Sequence, residues 1–99
     1  MDLWIYVDSR SSDRKFGRAN DLTRDFIREQ LAVGECSYCV ERNLRMTLDR
    51  IDNDLGHLQT NVVIACIRCN YARRDMPYQA WLVVAPAMRA ARQTGLFGT

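Results

Sequence analysis

Four cysteines decide most of what this chain can become. Cys36 and Cys39 form one C-x2-C pair, Cys66 and Cys69 form another, and 26 residues lie between them. No cysteine is left over. The opening segment, MDLWIYVDSR, has neither the basic n-region nor the long apolar stretch of a secretion signal. A reducing cytoplasm is therefore the expected location, where disulfides do not persist. Two such pairs suit a tetrahedral Zn2+ held by four thiolates, against a redox C-x2-C or four unrelated thiols. With all four positions filled by protein, the zinc would brace the fold and do no chemistry. In mini-domains such a site contributes about 10–16 kcal/mol apparent.

The brace matters because the chain is short. Ninety-nine residues imply one domain, 1–99, with a modest core. Its 47% hydrophobic and 26% charged residues fit a globular fold. No apolar run approaches the ~18 residues that a membrane helix needs. The formal charge is only +2, and four thiolates with one zinc ion would bring it to about 0. Attraction to nucleic acid must then come from a local arginine face. Of 14 basic residues 13 are Arg, which suits bidentate phosphate contacts but also reflects codon habit.

Residues 1–20, polar and basic from SRSSDRKFGRAN onward, read as an arm. Asn20 or Asp21 can cap a helix running to Val33, with Gly34 as its stop and Leu22, Phe26, Ile27 and Leu31 as its apolar stripe. MTLDRI and NVVIA read as short strands around a loop, DNDLGHLQT. The second cysteine pair opens a helix, where the backbone dipole favours thiolates. Pro77 suits the first turn of a last helix, 77–94, with Pro86 inside it and Gly95 beyond it.

Between the cysteine pairs lies a second constellation. Asp49 ends the first strand, Asn61 begins the second, and Asn70 follows the last cysteine. Arg73 and Arg74 stand three and four residues beyond Asn70, on the same helical face. Mg2+ or Mn2+ could bridge the Asp49 carboxylate and the Asn70 amide oxygen, with arginines on the flanking phosphates.

The segment CSYCVERNLRMTLDRIDNDLGHLQTNVVIACIRCNYARR, Cys36 to Arg74, resembles the zinc-braced HNH endonucleases of phages and bacteria. The shared pattern is C-x2-C, an Asp near a strand end, a central Asn, and C-x2-C-Asn with a basic residue three further on. The resemblance implies an α+β fold: a treble-clef-like zinc frame around a ββα-metal core, 36–75, with flanking helices. It implies a catalytic cation on Asp49 and Asn70, a loop-holding role for Asn61, and a DNA phosphate contact from Arg73; Arg50, Arg68 and Arg74 are further candidates for DNA contacts. It also implies a divalent-metal-dependent DNA endonuclease, or else an inactive zinc module that docks on DNA or on a phage packaging (terminase) protein. A zinc-ribbon RNA-binding protein is a third class.

The departure is Arg50, which stands where a general-base histidine is expected. Arginine has no acceptor and stays protonated, so it could only stabilise charge on the phosphate. Three replacements remain open: His57, the only histidine; a metal-bound water; and Asp52. Because neighbouring strand residues face opposite ways, Asp49 and Arg50 can share a site only if the strand ends or bulges there.

Overall fold

The computed structural model describes residues 1–98. Its elements run α1 (Asp2–Lys15), α2 (Arg24–Val33), β1 (Met46–Arg50), β2 (Val62–Cys66), α3 (Ile67–Arg73) and α4 (Tyr78–Gln93). The strands pair antiparallel, from Met46 opposite Cys66 to Arg50 opposite Val62. The strand–strand–helix core expected from the spacing is therefore present, with α1 and α2 on one flank and α4 on another.

Residues 1–20 are not an arm. Most of them form α1, and its inward face explains why the sequence concealed it. Ile5, Ser9 and Asp13 follow one another at four-residue spacing, all buried, and two of the three are polar. An apolar stripe, the usual signature of a docked helix, is thus missing. Asn20 does the stitching instead. Its amide donates to Ser9 Oγ (3.1 Å) and Asp13 Oδ2 (3.0 Å), and its Oδ1 accepts from Leu22 N–H (2.9 Å). Asn20 therefore ties α1 to the following turn, and Thr23 caps α2 by accepting from Phe26 N–H. Gly34 ends α2 at φ 69°, as its position predicted.

Leu22, Ile27 and Trp81 are fully buried around the hairpin and the cysteines. Tyr38 meets Trp81 edge-on at 5.3 Å, locking the first cysteine pair onto α4. The connection after α1 crosses directly over the hairpin loop at Gly56. A Cβ there would lie 1.9 Å from Ala19 O, so only glycine lets the two backbones pass. Asp21 Oδ1 then accepts from Gln59 N–H at 2.6 Å, and the Gln59 amide donates to Asp21 O at 3.0 Å. This clasp is one of the ties that hold the loop between the strands, residues 51–61. Among the described residues, no helix is long and apolar enough to cross a membrane.

Candidate metal centre and catalytic cleft

The cysteine pairs meet as their spacing predicted. All four sulfurs are buried and lie within 4.8 Å of one another, with Cys39 Sγ and Cys66 Sγ at 3.6 Å. A tetrahedral Zn2+ with bonds of about 2.3 Å sets its sulfurs about 3.8 Å apart, so the cluster has the size for one. Its protonation points the same way. One thiolate, on Cys36, is favoured by hydrogen bonds from Cys66 and Cys69, and the same contacts push Cys66 up to about 11 and Cys69 higher still. Thiolates packed this closely repel one another, and a cation among them relieves that repulsion. Two backbone N–H groups, Tyr38 to Cys36 Sγ and Cys69 to Cys66 Sγ, add support to the sulfurs at 3.4 Å each.

The second constellation surrounds a cleft of about 200 Å3, lined by Asp49, Arg50, His57, Asn70 and Arg74, with Asp8 and Ser12 of α1 closing it. Each polar group is aimed by a partner. Asp49, 7% exposed, accepts on Oδ2 from Tyr38 Oη (2.9 Å) and Arg73 Nη1 (2.7 Å), which leaves Oδ1 for a ligand. Burial and the Asp49 carboxylate push the Tyr38 phenol up, so it stays a donor. The Asn70 amide donates to Thr47 Oγ1 (2.8 Å), and Thr47 in turn donates to Ala65 O (2.9 Å). That chain turns Asn70 Oδ1 away from Thr47. Two oxygen donors on one polar cleft fit a hard divalent cation.

Asn61 is a loop staple. Its amide donates to Asp52 O and Gly56 O, and its Oδ1 accepts from Asp52 N–H. Arg50 and Asp49 share the cleft because β1 ends at Arg50. Arg50 Nη1 donates to Asn53 O (2.7 Å) and Leu55 O (2.8 Å), so part of the guanidinium braces the loop.

Two of the arginines named for DNA contacts, Arg73 and Arg68, do not line the cleft. Arg73 is 1% exposed and donates to Asp49, Arg50 O, Ile51 O and Met76 O; it is an internal rivet beneath β1. Its place one turn from Asn70 marked the correct helix but could not show the inward rotation. Arg68 lies over the Phe97 ring at 4.0 Å and beside Glu41 at 3.7 Å, on the zinc side. Arg74 alone of the helix pair is exposed and lines the cleft. Asp52 is a turn residue: its Oδ1 accepts from Asp54 N–H, and it does not line this cleft.

His57 does line it, held by a group the sequence did not reveal. Asp13 Oδ2 accepts the His57 backbone N–H at 2.8 Å and lies 3.1 Å from His57 Nδ1. Burial lowers the His57 pKa below its ordinary value; Asp13 opposes that shift, while Arg50 and Arg18 reinforce it. The imidazole is therefore neutral at pH 7. The one available signal for Asp13 was its helical spacing from Ile5 and Ser9.

A cysteine-clustered knuckle, an antiparallel hairpin and a following helix make a small α+β fold, and Asp49 and Asn70 meet on one of its clefts. No family model matches this sequence, and no curated protein matches it either. Among solved structures, the chain is similar to the rare-cutting HNH restriction endonuclease PacI, with TM-score 0.70 and 19% identity over 91% of this chain and 78% of that one.

Proposed function

We propose that this chain is a zinc-braced, divalent-metal-dependent endonuclease that hydrolyses DNA phosphodiesters. One observation carries the reading: Asp49, Asn70, His57 and Arg74 all line one polar cleft. Cys36, Cys39, Cys66 and Cys69 would hold Zn2+ and so tie the hairpin to α3. Asp49 and Asn70 would hold Mg2+ or Mn2+, which would supply Lewis-acid stabilisation of charge on the phosphate.

The chain's own groups do the rest. Neutral His57 takes the proton of the attacking water, a task for which an unprotonated imidazole is suited; as the new P–O bond forms the opposite ester P–O bond breaks, and its leaving oxygen is protonated from solvent water. Arg74 holds a phosphate at the rim. The part of Arg50 not bonded to the loop carries positive charge into the cleft, where charge develops on the phosphate oxygens. Asn61 and Arg73 keep the loop and the end of β1 in register.

Supercoiled plasmid tests this reading. Zinc-loaded protein converts it to nicked or linear forms with Mg2+ or Mn2+, and Asp49→Asn abolishes the conversion. Asparagine is the apt replacement because alanine would strand buried Arg73. Protein that cuts nothing under any divalent metal, or an Asp49→Asn variant that cuts as well as the parent, overturns the enzyme reading and leaves an inactive docking module.

A further inference from the structure

We infer that Asp13, on α1, is a positioning residue that sets the tautomer and aim of His57, so that the N-terminal helix is part of the hydrolytic machinery. The inference rests on the endonuclease reading above and deepens it.

Asp13 is a poor choice for structure alone. It is 1% exposed, and among the described residues its Oδ1 is buried with no hydrogen-bond partner. A buried carboxylate with half its acceptors unused is destabilising, and an asparagine or an apolar residue would pack the same helix at lower cost. What its charge achieves is confined to Oδ2, where three donors converge: the Asn20 amide, the His57 backbone N–H and the His57 ring. A carboxylate has no proton to give, so the ring nitrogen facing it must carry one. Nδ1 is thereby the protonated nitrogen, and Nε2 keeps its lone pair. This is the division of labour by which a carboxylate orients a catalytic imidazole elsewhere.

The surroundings serve the same end. One oxygen takes both the His57 backbone N–H and the ring, so the backbone is anchored on the same atom that the ring must leave in order to rotate. The loop carrying it is clasped by Asp21 and by the Gly56–Ala19 crossing. The charged groups around the ring are Asp13 on α1, Arg18 after it and Arg50 at the end of β1, with Asp8 and Arg74 across the cleft. Of these, Asp13 alone touches the ring. His57 approaches the cleft from the loop, in place of a histidine at the strand end, and the support it needs comes from a segment outside the cysteine-bounded core.

The single histidine makes the test direct, because one set of imidazole 15N resonances reports the tautomer. Zinc-loaded wild type should show Nδ1 protonated and Nε2 bare at neutral pH. Asp13→Asn should mix the tautomers. It should also lower kcat on plasmid by 10-fold or more, with KM for DNA little changed and zinc content intact. In a His57→Ala background the same substitution should have no further effect on cutting. If Asp13→Asn leaves the tautomer unchanged, or its loss of kcat adds in full to that of His57→Ala, the positioning role is wrong. If wild type cuts nothing, the endonuclease reading falls and the catalytic role falls with it, while the 15N spectra still decide whether Asp13 sets the tautomer. Should Asp13→Asn fail to fold, Asn20→Ala, which removes a competing donor from Oδ2, must leave the wild-type tautomer in place; a mixed tautomer there overturns the inference.

Discussion

The cysteine cluster and the cleft are built on different principles. The cluster takes four identical groups from residues 36–69 and gathers them, buried, within 4.8 Å. Any rotation of a thiolate about its own axis still presents sulfur to the ion. The cleft takes unlike groups from α1, β1, the loop and α3, and each depends on which atom faces inward. Asp49 is aimed by Tyr38 and Arg73, Asn70 by Thr47, and His57 by Asp13. Spacing alone can specify the first kind of site. The second kind also needs the neighbours that orient it.

The contrast can be broken most forcefully at the zinc. Stripping the ion with a strong chelator, or Cys66→Ser, should unfold the whole chain, a loss on the order of 10 kcal/mol or more. Circular dichroism and loss of amide protection would read it. Because zinc binds thiolates and the thiols of Cys66 and Cys69 are pushed up in the cation-free cluster, loading should release protons into weakly buffered solution. A chelated chain that keeps its thermal transition would show the cysteines are not a brace.

The cleft side has its own structural element, and it is an ion pair. Arg73→Ala leaves Asp49 buried without its partner and strands carbonyls at the end of β1, so it should cost about 3–5 kcal/mol. A urea transition would show this, with zinc still bound at one ion per chain. A change below 1 kcal/mol would mean that the cleft does not depend on Arg73 and that the two halves are less distinct than proposed.

These two experiments divide along the line that separates what was legible from what was not. The C-x2-C pairs, the paired strands, Gly34 and the last helix were readable because each follows from local chemistry or from ligand count. Asp49, Asn61 and Asn70 were readable through resemblance in register. α1 was not, because its buried face carries Ser9 and Asp13 where periodicity requires apolar residues. Nor could the sequence separate Arg73 from Arg74. They are adjacent and alike, and only the packing of α3 against β1 decides that one is 1% exposed and the other faces the cleft.

His57 gives a smaller effect that sharpens the comparison further. Burial depresses its pKa in the folded chain, so between that value and the ordinary ~6.5 the unfolded chain binds more protons. Stability therefore rises with pH across this window: the contribution is fully present above ~6.5 and is lost as pH falls toward the folded value. Urea midpoints at pH 7.5 and 5.5 should differ more in wild type than in His57→Gln. Equal differences would place His57 in solvent, not in a fixed site.

The smallest effect is the most diagnostic. Arg74 closes α3 at φ 52° and ψ −121°, a conformation that glycine adopts freely and arginine does not. Strain of this kind costs on the order of 1–3 kcal/mol and persists where function requires the side chain. Arg74→Gly should therefore raise stability by about 1 kcal/mol, whereas Arg74→Ala, which keeps the unfavourable φ, should not. Both should weaken DNA binding and reduce the salt slope of log K by about 1, the signature of one lost phosphate contact. If Arg74→Gly gains stability and DNA affinity holds at every salt concentration, the strain serves no phosphate. The rim of the cleft must then be sought at Arg50 alone.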